Sequence, residues 1–225
     1  MIERMDSEVL IATFPRLYHM AEHDSWPSIQ KHGLLSTSAL LDLFEVSGEP
    51  REKLEAAHRP NSVAIHHPRH GRAVIRDQKP MSDGGLKRCL NGVTPREWYV
   101  ILNAKVFFWP HEERLKTLLG AQAYRNDRHC VLTVDSRKLV ERHSERILLS
   151  PMNSGATKPM PHPRSRETFL PIAAYPFDQW LEKRKQRHKA VAEIAVTHSV
   201  PDIAQIVVEV AIWQGGRVLQ RLFPA

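Results

Sequence analysis

The chain has 225 residues, 42% of them hydrophobic and 25% charged, enough to bury a sizeable core in one large domain or two small ones. No apolar run reaches the roughly 20 residues a membrane helix needs, and "MIERMDSEVLIATF" lacks the basic–apolar–small order of an export signal, so a cytoplasmic protein with no membrane partner is expected. The net charge is +7, much of the excess lying in "HHPRHGRAVIR" (66–76) and "KRKQRHK" (183–189), which suits a polyanion or a phosphate-bearing cofactor, or else a solvated helix face.

In chain order, "RLYHM" (16–20) predicts a short strand. A helix follows, capped by Asp24 or Ser25, with Pro27 in its first turn and Gly33 as its stop. A second helix over 36–46 carries Leu40, Leu41 and Phe44 at helical spacing behind Ser36 or Thr37. The charged, Pro- and His-rich stretch 47–72 reads as loop, 73–78 as a strand end, and 82–92 as a turn with a short helix. "TPREWYVILNAKVFFWP" (94–110) opens on a Thr–Pro cap, forms a helix and enters the strand "KVFFW". An amphipathic helix is predicted over 111–125, a strand over 129–135, a short helix over 136–143 behind Asp135 or Ser136, and a strand over 146–150. "PMNSGATKPMPHPRSR" (151–166) has no period and must be loop, from which "ETFLPIAAYP" leaves as a strand. The remainder reads as a polar helix over 177–191, a strand over 192–196, a helix over 199–216 with a strand as the open alternative, and a closing strand over 217–223. Many short strands without long βα repeats argue for α+β, and no linker divides the chain, so one domain over 1–225 is expected.

Several chemistries are disfavoured at once. No G-x-G-x-x-G, Walker A or G-x-S-x-G run is present. Cys89 and Cys130 stand in no CxxC and read as reduced thiols without a chemical role. "HMAEH" (19–23) matches a zinc-peptidase pattern, but that pattern works on a helix and here it crosses a strand end, so no metal is expected there. "HHPRH" (66–70) reads as a basic loop.

Three segments remain. "LYHM" places His19 beside Tyr18 at a strand end, where an imidazole and free backbone groups can meet a ligand; a core histidine is the plain alternative. In "VFFWP", strand alternation puts Phe107 and Trp109 on one face and Phe108 on the other. One face packs, and the other either offers a flat surface to a planar ring or is buried too. In "PRSRETF", Glu167 sits where a loop becomes a strand, with Arg164 and Arg166 just before it.

In this order the segments resemble the ADP-ribosyltransferase superfamily, most nearly its DarT-type, nucleic-acid-modifying branch. The likeness runs through "LYHMAEHDSWPSIQKHGLL", "VFFW" and "RETFLPIAAYPF…AEIAV", over roughly residues 16–223. "LYHM…GLLSTSALLDLF", "IRDQKPM" and "LSPMNSG" also resemble a less characterised group of bacterial proteins. The chain departs from the branch in "PHEERLKTLL", where a second motif is unrecognisable. Ser165 stands where arginine-directed members carry Gln or Glu.

The resemblance implies an α+β fold with a split β-sheet core and peripheral helices. It implies NAD+ as co-substrate, no metal, and transfer of ADP-ribose to a macromolecule, nucleic acid (RNA or DNA) first and protein second. A bacterial toxin or phage-defence effector, with an antitoxin partner, would fit; a catalytically silent module binding NAD-like ligands or nucleic acid is the alternative. Transfer passes through an oxocarbenium-like ribose, which a fixed carboxylate stabilises. The role falls here to Glu167, with Arg76 as the assisting cation and Arg72 and Arg125 as rivals. His19 would hold a ribose hydroxyl with Tyr18 beside it in the cofactor site, the backbone of Met20 the nicotinamide amide, and Phe107, Phe108 or Trp109 the ring. Asn153, Ser154, Arg164 and Arg166 would address the acceptor.

Overall fold

The computed structural model describes residues 5–224. Twelve strands occur among them: β1 (Arg16–Glu22), β2 (Leu34–Leu35), β3 (Val63–His67), β4 (Gly71–Ile75), β5 (Lys105–Phe108), β6 (Arg128–Asp135), β7 (Ile147–Ser150), β8 (Leu170–Pro171), β9 (Glu193–Thr197), β10 (Ser199–Val200), β11 (Val207–Gln214) and β12 (Arg217–Phe223). One four-stranded sheet has the order β1-β6-β11-β12, another the order β5-β9-β7-β8. All the ladders within them are antiparallel. Helices lie around the sheets, so the chain is α+β.

The two sheets meet at one point. Tyr18 N donates to Trp109 O at 2.9 Å and Trp109 N to Tyr18 O at 2.7 Å, an isolated antiparallel bridge between the end of β5 and the middle of β1. Beyond it the two strands part. Below it, alternation turns Leu17, Leu132, Val134, Val106, Phe108, Ile194 and Val196 into one shared core. Each of these large side chains contributes about 1.5–3 kcal/mol by leaving water.

Local signals set most elements. The helix Trp26–His32 has Pro in its first turn and ends at Gly33, whose φ of +83° a residue with Cβ would resist. A Cβ there would also lie 2.6 Å from Pro201 Cα. Ser36 accepts from Ala39 N to cap Thr37–Leu43. Thr94 and Glu97 form a full capping box on Pro95–Asn103.

Several expectations need correction. The stretch 47–72 is not mostly loop. Gly48–Glu55 is a helix without a buried residue, held by ion pairs of Arg51 with Glu55 and Asp42 and of Lys53 with Glu49, so it shows no apolar period. β3 and β4 form a hairpin whose alternation is masked by histidines. The stretch 199–216 is the short β10, a single helical turn, Ile203–Ile206, and then β11. β11 is buried on both faces, which fills in its alternation and imitates helical spacing. The helix predicted over 111–125 is Glu112–Leu119, and that over 177–191 is Phe177–Arg184. "ETFLPIAAYP" is not a strand: Arg166–Thr168 is a 3-10 turn and only Leu170–Pro171 pairs with β7. No helix among the described residues is long and apolar enough to cross a membrane.

Candidate active site

The parting of β1 from β5 opens a cavity of about 380 Å³. His19, Met20, Arg76, Phe107 and Trp109 line it, with Asn153, Ser154 and Glu193 opposite. The β4 strand and the helix starts at Ser25 and Ser36 close its other side.

His19 spans the split. Its Nδ1 lies 2.8 Å from Phe107 O. A carbonyl only accepts, so Nδ1 carries the proton and Nε2 of the neutral ring is an acceptor. Burial pushes the imidazole down to about 4, against the Phe107 bond that favours its charged form, and nearby Arg76 lowers it further. The ring is thus neutral at physiological pH.

Met20 is placed by the same bridge. Both polar groups of Tyr18 face β5, and backbone groups alternate along a strand, so those of Met20 also face the split. Arg76 Nη1 reaches Met20 O at 3.5 Å, and its guanidinium lies 5.5 Å over the Tyr124 ring. The Arg76 backbone is held from behind. Its carbonyl accepts from Arg59 Nε at 3.1 Å, and Arg59 also donates to Asn103 Oδ1 at 3.0 Å. Arg59 is buried, which lowers it to about 10 although Asp77 opposes the change.

Glu193 opens β9 and is only 5% exposed. Ser154 donates to its Oε2 twice, from N at 3.1 Å and from Oγ at 2.6 Å. Both bonds fall on Oε2, and Glu193 is part of the cavity wall. Burial raises the carboxyl to about 7, against the Ser154 bonds and the charges of Arg114 and Arg164. A carboxylate poised near neutrality beside a cavity is the signature of a functional group.

The structure does not bring the other named residues here. Tyr18 points to the opposite face of β1, against the cluster of Leu115, Leu119 and Trp213. Phe108 is fully buried in the core. Glu167 is exposed on its 3-10 turn and is absent from the cavity wall. Arg166 pairs with Glu97 at 2.8 Å on the surface. Arg164 is buried and donates to the carbonyls of His162, Ser154 and Ala156. It therefore shapes the loop that holds Glu193, with three of its five N–H donors spent on that loop's own carbonyls. Arg125 is not in the wall, while Arg72 is. The "HMAEH" run lies along β1 and the turn after it, and His23 Nδ1 meets Asp24 at 2.6 Å. Among the described residues no group of three His, Cys, Asp or Glu is placed to hold a metal. Both cysteines are buried free thiols.

Sequence reasoning passes over Glu193, which stands in "AEIAV" as one more strand residue. A signal is present: a lone acid opens an otherwise apolar run, and a charge so buried is costly unless it has a task.

A family model matches residues 15–207. The chain belongs to DUF7002, a family of unknown function. No curated protein matches. Among solved structures, Thermosipho africanus DarTG in complex with ADP-ribose is similar at 13% identity and a TM-score of 0.44, over 88% of this chain. This chain spans 43% of that one. So slight a likeness carries no argument about the DUF7002 chain, whose site rests on its own geometry.

Proposed function

We propose that this DUF7002 protein is an NAD+-dependent ADP-ribosyltransferase with Glu193, not Glu167, as its acid. The observation that carries the reading is a buried carboxylate, Glu193, lining the same cavity as a neutral His19 where the two sheets part. A parting between two antiparallel sheets is what the sequence resemblance implies, and it supports this reading.

The residues fit the co-substrate. The Met20 amide, turned into the split, suits the nicotinamide carboxamide. Nε2 of His19 accepts from a ribose hydroxyl, and Phe107 or Trp109 supplies a ring face. Arg76 offers a cation to the pyrophosphate. Cleavage breaks the bond from ribose C1′ to the nicotinamide nitrogen, and the electron pair leaves with nicotinamide. Positive charge grows on C1′, and ionised Glu193 stabilises it more than the ground state. The acceptor then bonds C1′ and gives up a proton, for which Glu193 is the adjacent base.

Nucleic acid is the acceptor class we propose, on the net charge of +7; protein is the second. A role as toxin or defence effector, countered by an antitoxin, goes with this reading. One observation favours a silent binding module instead: with its carboxyl near 7, Glu193 is about half protonated at neutral pH. Nicotinamide release from NAD+ separates the two, measured for wild type, Glu193→Gln and Glu167→Ala, with and without RNA, DNA or lysate. Release that needs Glu193 and survives Glu167→Ala supports the transferase. NAD+ binding without release supports the module. Release lost with Glu167 alone overturns the assignment.

A further inference from the structure

The β3–β4 hairpin forms one wall of the cavity through Arg72, Ala73, Val74 and Ile75. Its root is fixed by Arg59. Its tip is held differently. The His67 and His70 rings stack at 4.6 Å, and His32, on the helix beneath, meets His70 edge-on at 5.0 Å. Phe44 packs against both hairpin histidines at 6.0 Å. Nδ1 of His70 is buried without a hydrogen-bond partner. From the end of the helix Thr37–Leu43, Glu45 bonds Arg69 at 2.6 Å and approaches His67 Nε2 at 3.7 Å. Glu45 does so from a left-handed φ of +56°, a strained conformation for a residue other than Gly, Asn or Asp.

We infer that the hairpin tip is a proton-sensitive latch: protonation of His32 and His70 within this ring cluster releases the hairpin and opens the cavity wall. The stack is bordered by cations, Lys31 on the helix and Arg69 on the hairpin, and Glu45 is the one acid that meets its rings in the ion pairs described above. An added proton meets repulsion and desolvation in the closed form, and water in the open one. In agreement, His32 and His70 both lie below the ordinary histidine value of 6.5: His32 through desolvation and then Lys31, His70 through desolvation, then its histidine neighbours, then Arg69 and Lys31.

The sign follows. The closed hairpin binds fewer protons than the open one. Closure is therefore favoured above about pH 6.5 and weakens below it, by up to about tenfold per pH unit for each histidine charged only when open. The latch acts on the wall and stands whether or not the cavity takes NAD+.

Hydrogen exchange tests it without any ligand. After correction for the intrinsic pH dependence, amides of 63–75 should exchange about tenfold faster at about pH 5.5 than at about pH 7.5, while β9 stays protected. His70→Phe keeps the ring packing and removes one of the two proton sites, so the rise should halve on a logarithmic scale. His32→Gln should halve it likewise, and carries the test if His70→Phe does not fold. Equal exchange at both pH values overturns the latch, as does a rise that persists undiminished in both variants. So does loosening of β9 in step, which is general acid unfolding, and so does stoichiometric protection of the hairpin by added Zn2+, which would make the stack a metal site.

Discussion

At the scale of single residues, Glu193 and Glu167 are separated by burial. Glu193→Gln keeps the shape and the Ser154 bond but removes the charge. Nicotinamide release should fall about 100-fold or more, while Glu167→Ala should change activity little and stability by less than about 0.5 kcal/mol. The pH dependence of Glu193 has a definite sign. Its carboxyl is raised from 4.5 to about 7 in the fold, so the folded chain holds this proton more tightly than the unfolded one. Below about pH 4.5 both states are protonated and the site costs nothing. As pH rises to about 7 the protein loses stability, on the order of 3 kcal/mol in all. Denaturation curves should show that loss in wild type and a flatter profile in Glu193→Gln. Activity should run the other way, rising through an apparent pKa near 7, because the ionised form is the one that stabilises positive charge.

Elements decide how rigidly those residues are presented. The 151–166 loop that holds Glu193 has no regular structure, yet Ser154 within it is buried and its carbonyl accepts from Arg164 at 2.8 Å. Arg164→Ala would leave three loop carbonyls without their donor, that of Ser154 in a buried position. It should cost about 2–4 kcal/mol and lower nicotinamide release through Ser154, seen as a fall in kcat greater than the rise in KM. Arg164→Lys should rescue little, since one ammonium cannot span the three acceptors of a planar fork. The loop was legible in "PMNSGATKPMPHPRSR" from its prolines and missing period. The inward turn of Arg164 was not, because three carbonyls from one loop converge on it only once that loop is closed.

For the whole molecule, the deciding feature is the single bridge between Tyr18 and Trp109. It joins two sheets and then lets them part, and residues 88 apart in sequence meet there as His19 Nδ1 and Phe107 O. NAD+ at saturating concentration should raise the melting temperature, with about 2.7 kcal/mol of added stability at 100 times its Kd. Trp109→Ala should weaken that shift without unfolding the chain. What the sequence determined by itself was local: caps at Ser36 and Thr94, the stop at Gly33, and the alternation that puts Phe107 and Trp109 on one face and Phe108 on the other. These follow from backbone sterics and nearest neighbours, which a chain carries with it. What only the tertiary structure decided was which acid is buried beside the cavity and how the 199–216 segment pairs. Burial and strand partnership are properties of residues far apart in the chain, and a strand buried on both faces has no period of its own to read. Glu193 and Glu167 are both acids at the start of apolar runs; only the closing of β9 between β5 and β7 takes one of them out of water and leaves the other on the surface.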